Sequence, residues 1–467
     1  MDEQSQCDPM GRTIEKQKEL RMADMISDES VTQPRTASAA VVQPLAERNI
    51  LLLQGLMGPL FRRLGQVLRQ DGYGVHKVNF NGGDRLFWRL PNGIDYRGSL
   101  EDWPAMLRQI ITDRAITDVL LFGDCRPIHM AAIAVCRDMH VPVHVFEEGY
   151  IRPDWVTLEL GGVNGHSTLP RDPAWYRAQA ALLPPVPQHA PVPSSFRRRA
   201  TEALIYNTAD VLSRSHYPHW ENHRPWHPLV EGMGWVRRLT RRKAAAQRAQ
   251  AVQAAMVRRN APYILFPLQL DSDAQIRLHS SFAGIADALR MVITSFASHA
   301  PPELRLVIKE HPLDNGVRDW RLETKTLAAL HGVTDRIDYL EGGDIVPISL
   351  ASRGMVTINS TSGTLALAQG IPVIALGQAV YDIEDITFQG RLNDFWANPG
   401  KPDAATFDAF RRVLIERCLV PGGFFSEEAL DKLTSGIIAK IEAASPLLHA
   451  PPARPALAQS TQAILSN

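Results

Sequence analysis

The chain has 467 residues, 45% of them hydrophobic and 21% charged, with 50 Lys+Arg against 50 Asp+Glu. That length exceeds one ordinary core and predicts two domains of roughly 150–200 residues each. The composition excludes a disordered or fibrous chain, and zero net charge gives no global pull towards nucleic acid, which is not expected as a partner.

Four scattered cysteines, Cys7, Cys125, Cys136 and Cys418, form no CxxC pair. They argue against a zinc knuckle or a disulfide framework and for free thiols in a reducing cytoplasm. The acidic, polar start lacks the apolar core of a signal peptide. No run of about 18 apolar residues occurs, so a cytoplasmic protein is expected, at most peripheral on a membrane.

In chain order, residues 1–47 read as a polar, disordered arm, with a short helix near Ile14–Met25. Order begins with the apolar run at Asn49–Gln54, followed by a helical pattern over Phe61–Gln70. Apolar segments follow at Val75–Phe80, Asp118–Phe122 and Val141–Phe146, with a helix-like stretch at Ile128–Asp138 before the last. The stretch 170–260 is rich in Pro, His and aromatic residues, then in Ala and Arg, and reads as an insertion plus a connection. Alternation resumes with strands expected at Tyr263–Pro267, Leu304–Lys309, Arg336–Leu340, Gly354–Ile358 and Val373–Ala375, and helices near Ser281–Ala297 and Arg321–His331.

Strands alternating with helices predict parallel α/β sheets. The fold class expected is α/β, with two Rossmann-like lobes facing a cleft, as in the GT-B glycosyltransferases. The boundaries follow as a first lobe with its insertion at 48–235, a second lobe at 236–400, C-terminal helices at 401–445 and a flexible tail at 446–467.

Three motifs stand at strand ends, where open α/β sheets bind ligands. The first is Phe146-Glu147-Glu148-Gly149-Tyr150, two carboxylates and a glycine that permits a bend. One of them suits a nucleophile or base at a sugar carbon; otherwise they are two solvated acids. The second is Lys309-Glu310-His311-Pro312-Leu313-Asp314, whose His suits a phosphate oxygen and whose Lys adds positive charge, or which is a Pro turn. The third is Asn359-Ser360-Thr361-Ser362-Gly363, a hydroxyl-rich turn opening a helix, suited to a phosphate or to simple capping. It is not a Walker loop, since no GKS or GKT follows.

Polar loops at Gln269-Leu270-Asp271-Ser272-Asp273 and Asn79-Phe80-Asn81-Gly82-Gly83-Asp84 also follow strands. No compact metal-binding DxD falls in the first lobe, so no metal and no cofactor is expected, the leaving phosphate being neutralised by helix dipoles and cationic side chains. Val236–Arg259 carries eight cationic residues and no acid. It suits an anionic membrane surface or a solvated helix face.

The ordered set of motifs resembles the KpsS/LipB family of capsule-biosynthesis proteins over about residues 48–400. It comprises Leu53-Gln54-Gly55 with Gly58-Pro59-Leu60-Phe61-Arg62-Arg63, His76-Lys77 through Asp84, Phe146 through Arg152-Pro153, Thr157-Leu158-Glu159, Gly162-Val163-Asn164, Pro267 through Asp273, Lys309 through Asp314, Asn359-Ser360-Thr361, and Tyr381-Asp382. The resemblance implies a retaining β-Kdo transferase. Its donor would be CMP-Kdo and its acceptor lysophosphatidylglycerol at the inner membrane, starting a capsule linker, with other capsule proteins as partners. Retention by double displacement requires a protein nucleophile, and the match places Glu148 there with Glu147 beside it. Lys309, His311, Pro312, Asn359, Ser360, Thr361, Ser362, Gln269, Asp271 and Ser272 are implied at the CMP-sugar. Asn79, Asn81, Gly83, Asp84, Arg152 and Asn164 are implied at the acceptor or sugar cleft. A non-catalytic export adaptor, or a transferase for another CMP-nonulosonic acid such as sialic acid, remains the alternative.

Overall fold

The computed structural model describes residues 48–186, 191–222 and 226–444. The expected arm at 1–47, its short helix and the tail at 446–467 lie outside the described residues. Six strands of the first sheet come first in the chain: β1 (Asn49–Leu52), β2 (Gly74–Asn79), β3 (Gly93–Asp95), β4 (Asp118–Phe122), β5 (Val143–Glu148) and β6 (Trp155–Leu160). The second sheet holds β7 (Tyr263–Pro267), β8 (Arg305–Lys309), β9 (Ile337–Leu340), β10 (Gly354–Thr357) and β11 (Val373–Ala375) in the order β11-β10-β7-β8-β9, all parallel. The chain then returns with β12 (Leu419–Pro421) to complete a seven-stranded first sheet, β12-β6-β5-β4-β1-β2-β3.

The expected α/β class with two sheets is what the chain adopts, the second sheet all parallel and the first parallel except where β6 pairs with β5 and β12. The strands β4 and β7 are buried along their whole length, the continuous apolar pattern of parallel strands covered on both faces. Helix Leu60–Gln70 buries Leu60, Phe61, Leu64 and Leu68, positions three and four apart that share one helical face.

Two features depart from the expected strand pattern. β5 does not stop at Phe146; it runs on through Glu147 and Glu148 because β6 folds back antiparallel, pairing Glu147 with Thr157 and Glu148 with Val156. Helix Glu427–Ala444 packs Leu430, Leu433, Ile437 and Ile441 into the cluster that holds Ile50, Leu60 and Leu64, so the C-terminal chain covers the first sheet. The long helix of the connection spans Pro228–Arg259, starting ahead of residue 236.

Each sheet has a switch point where consecutive strands depart to opposite sides, at β1/β4 in the first and β7/β10 in the second. A glutamine two residues past the first of these strands spans each. Gln54 Oε1 accepts from Arg126 Nη1 at 2.7 Å. Gln269 Nε2 donates to Asn359 Oδ1 at 2.9 Å while its Oε1 accepts the Asn359 N–H at 3.1 Å. Loops beyond the strands at such crevices form the binding sites of open α/β folds.

Candidate active site

Glu147 and Glu148 occupy the last two positions of β5. Gly149 is required there by close approach: a Cβ on it would lie 2.1 Å from the Trp155 carbonyl oxygen across the hairpin. Four residues on from Glu148, Arg152 turns back so that its Nη2 lies 2.6 Å from Glu148 Oε2. From helix Phe196–Leu212, Arg199 Nη2 reaches Glu148 Oε1 at 3.1 Å.

Burial alone would raise the Glu148 pKa, but Arg152, Arg199 and His311 together outweigh it and hold the carboxyl below its ordinary value. Glu147 is driven the other way. Burial, together with the charges of Glu148, Asp273 and Asp124, pushes it up to about 8, against the stabilising Glu148 N–H bond to its Oε1 at 2.9 Å. One strand end therefore presents an ionised and a protonated carboxyl side by side, the separation of roles that acid and base chemistry at neutral pH needs.

The second lobe faces this pair with His311. Its Nδ1 accepts the Leu313 N–H at 3.0 Å, so in the neutral ring the proton sits on Nε2, which is a donor. Burial and the neighbouring Arg152 and Lys309 lower its pKa to about 4, so the neutral form prevails at physiological pH. Asp273 adds a carboxyl whose pKa is raised by burial; it caps helix Ala274–Leu278 by accepting from the Gln275 N–H at 3.0 Å. Past the ends of β8 and β9 a cavity of about 710 Å³ opens against helix Pro228–Arg259, lined by Trp235, Arg238, Arg242, Glu310, Asp314 and Gly343.

The other residues of the expected donor set are placed less uniformly. Lys309 is buried, its Nζ 3.4 Å from the Glu310 carbonyl oxygen, and burial lowers its pKa. Pro312 is exposed and its carbonyl accepts from Arg238 Nη2 at 3.2 Å. Gln269 and Asn359 spend their amides on each other, and Asn359 Nδ2 also donates to the Gln275 carbonyl at 3.1 Å. Asp271 Oδ1 accepts from the Ile285 N–H at 3.3 Å, and Ser272 is half-buried in the adjoining turn. Ser360 Oγ meets Ser362 Oγ at 3.1 Å and the Ser362 N–H at 3.1 Å, leaving Thr361 at the helix start without a side-chain cap bond.

The first-lobe cleft set divides. Arg152 sits on Glu148. Asn164 joins the lobes: Nδ2 donates to Gln275 Oε1 at 3.0 Å and Oδ1 accepts the Val380 N–H at 3.2 Å. Asn79, Asn81, Gly83 and Asp84 are not brought to the acidic pair. Asn79 Nδ2 donates to Asp95 Oδ1 at 3.0 Å. The Tyr206 hydroxyl donates to Asp84 Oδ1 at 2.9 Å and accepts from Asn81 Nδ2 at 2.9 Å and Gln54 Nε2 at 3.0 Å. A Cβ on Gly83 would meet the Tyr206 ring at 2.6 Å. These buried side chains lock helix Gly82–Trp88 to helix Phe196–Leu212, because a buried polar group needs a partner and Tyr206 supplies it. The sequence reading also missed Arg199, whose signal was only the run Arg197-Arg198-Arg199, and gave no separate role to Tyr150 of the first motif, whose carbonyl accepts Thr364 Oγ1 at 2.6 Å across the lobes.

The basic stretch is half engaged. Arg237, Arg238, Arg248 and Arg259 pair with Asp319, Glu310, Glu341 and Asp338. Arg241, Arg242, Lys243 and Arg258 are exposed, as are Leu229, Met233, Val236 and Leu239 at 61–72%. Val252 and Met256 instead pack on the core. No helix among the described residues is long and apolar enough to cross a membrane.

The family described as "Capsule polysaccharide biosynthesis protein" matches residues 117–425. The chain is 35% identical over 382 residues to the capsule polysaccharide export protein KpsS of Escherichia coli, covering 82% of this chain and 98% of that protein. It is likewise 35% identical over 396 residues to the capsule polysaccharide modification protein LipB of Neisseria meningitidis serogroup A, covering 81% and 92%. Among solved structures it is similar to the β-Kdo 2,7 transferase KpsC of Thermosulfurimonas dismutans, with 14% identity, a TM-score of 0.35, and 79% and 100% of the two chains covered.

Proposed function

We propose a function from this premise: the chain belongs to the capsule polysaccharide biosynthesis protein family. Our reading is a glycosyltransferase that moves Kdo from CMP-Kdo to a lysophosphatidylglycerol acceptor at an anionic inner-membrane surface, in company with other capsule proteins and without a metal in the chemical step. The observation that carries it is Glu148 at the end of β5, held between Arg152 at 2.6 Å and Arg199 at 3.1 Å, beside a Glu147 whose carboxyl is driven the other way.

In this reading Glu148 attacks the anomeric carbon while the bond to the CMP phosphate breaks, its electron pair staying on the phosphate. The acceptor hydroxyl then displaces Glu148 and its proton passes to the departing phosphate, which gives net retention. Glu147, protonated below about 8, avoids a second negative charge beside the nucleophile. Arg152 is half exposed and, among the described residues, bound at the carboxylate and the Gly149 carbonyl. It is free to shift onto the leaving phosphate, unmasking Glu148 as the donor arrives, and His311 Nε2–H donates to the same phosphate. A cavity with the volume of a small-molecule site opens past β8, lined by Glu310, Pro312 and Leu313 rather than by His311 itself, and in this reading it takes the nucleoside.

The test is incubation of the pure chain with CMP-Kdo and a lysophosphatidylglycerol analogue, following CMP release and the anomeric configuration of the product. Product with retained configuration is expected. Folded protein that releases no CMP and forms no product would favour the adaptor; turnover with CMP-sialic acid alone would reassign the donor.

A further inference from the structure

Behind Glu147, where the loop after β4 meets the second lobe, lies a group of side chains that the transfer chemistry does not use. Asp124 is fully buried. Its Oδ2 accepts the Val163 N–H at 3.0 Å and lies 3.0 Å from His166 Nδ1. Cys125 Sγ lies 3.2 Å from Asp124 Oδ1 and 3.3 Å from His279 Nε2, and both Cys125 and His279 are buried. The His166 and His279 rings meet edge to face, 4.3 Å between centroids.

These distances have the scale of a coordination shell. Tetrahedral zinc with bonds of about 2.3 Å to sulfur and about 2.0–2.1 Å to nitrogen or oxygen spaces neighbouring donor atoms about 3.5 Å apart. The S···O and S···N separations here fall within a few tenths of an ångström of that, and the Asp124, Cys125 and His279 donors all lie within 4.8 Å of one another. Among the described residues, His279 Nδ1 finds no hydrogen-bond partner. With only a thiol opposite its other nitrogen, the buried ring is poorly satisfied as a hydrogen-bonding group; coordination at Nε2 would give it a stronger partner.

We propose that Asp124, Cys125 and His279 form a binding site for a borderline divalent transition metal, zinc being the best fit, which ties the β4 loop to the second lobe. One thiolate, one imidazole and one carboxylate select such an ion over magnesium or calcium, which prefer all-oxygen shells. His166, bonded to the far oxygen of Asp124, orients the carboxylate from outside the shell. The site is structural: it pins the two lobes and supplies no group to the sugar transfer, although a cation there would offset the Asp124 charge that helps raise the Glu147 pKa.

The test uses the full chain, purified without a polyhistidine tag and loaded with Zn²⁺ or Co²⁺. One metal per chain by mass spectrometry is expected, with a thiolate-to-Co²⁺ charge-transfer band in the near ultraviolet that Cys125→Ser abolishes. Affinity should fall at least tenfold in His279→Gln. X-ray absorption on the zinc form of the wild-type chain should give one sulfur scatterer near 2.3 Å, a readout that needs no variant to fold. A shell of nitrogen and oxygen alone, or metal removed equally easily from wild type and His279→Gln, overturns the proposal. Neither result bears on the transferase reading, which is judged by CMP release.

Discussion

Glu147 and Glu148 are consecutive residues on one strand, yet their carboxyls are driven in opposite directions. Burial and like charges raise Glu147 to about 8, while Arg152 and Arg199 keep Glu148 ionised against its own burial. The asymmetry comes from the two guanidinium groups, which both lie on Glu148. Glu148→Gln should therefore cut transfer by roughly a thousandfold or more and leave the circular dichroism spectrum unchanged. Near-normal CMP release from that variant removes Glu148 from the chemistry.

The raised pKa of Glu147 has consequences for rate and for stability. Activity that needs its protonated form should fall as pH rises through about 8, and Glu147→Gln should lose that alkaline limb. For stability the sign follows from linkage. The folded state holds the proton more tightly than the unfolded chain, so the stabilisation is full below the ordinary glutamate pKa and is lost as pH rises towards about 8. Melting temperatures between pH 5 and 9 should decline more steeply in wild type than in Glu147→Gln; parallel curves would refute the assignment.

Arg152 is the strongest cationic influence on Glu148. Arg152→Ala should raise the Glu148 pKa and move the acid limb of the pH–rate profile to higher pH, because the carboxylate then protonates sooner as pH falls. If the same guanidinium also receives the donor phosphate, KM for the CMP-sugar should rise about tenfold. A higher KM with an unmoved acid limb would separate the two roles and leave only the second.

How far the sequence was legible depends on the range of the signal. Apolar strands such as β4 and β7 and the motifs at their ends are local patterns, and the two-sheet α/β architecture followed from them. The β5–β6 hairpin was missed because Trp155–Leu160 lies so close to β5 that it reads as part of the loop, and only its pairing with His144–Glu148 of β5 and with β12 makes it a strand. The return of Glu427–Ala444 to the first sheet is a contact across almost the whole chain, which no periodicity reports. At the site, the acidic pair and His311 stood out as strand-end motifs, and the family resemblance singled out Glu148 of the two acids. Arg199 comes from the insertion, and Asn81 and Asp84 turned to Tyr206 in the same helix, because an insertion's docking face cannot be read from its own composition.

The Tyr206 lock makes a stability prediction. Its hydroxyl serves Asp84, Asn81 and Gln54 at once. Tyr206→Phe leaves these groups buried and short of a partner, which costs about 1–3 kcal/mol, read as a lower denaturation midpoint at unchanged m-value. Gly83→Ala should also destabilise, since its Cβ would fall 2.6 Å from the same ring. A midpoint unmoved in both variants would show that the insertion does not brace the first lobe.

Membrane attachment is testable on helix Pro228–Arg259. Leu229, Met233 and Val236 follow one another at spacings of four and three, so they form a single exposed stripe. Arg241, Arg242 and Lys243 follow on the next turns, exposed and outside the ion pairs that fasten Arg237, Arg238, Arg248 and Arg259. Each basic residue near an anionic surface contributes about 1 kcal/mol, and that share is screened by salt. Replacing the three by Gln should therefore weaken binding to phosphatidylglycerol vesicles at least tenfold at low salt and flatten its salt dependence. Met233→Ser with Val236→Ser should weaken it at every salt concentration, since apolar insertion is not screened. Binding that ignores both sets of changes would place the membrane contact elsewhere on the protein.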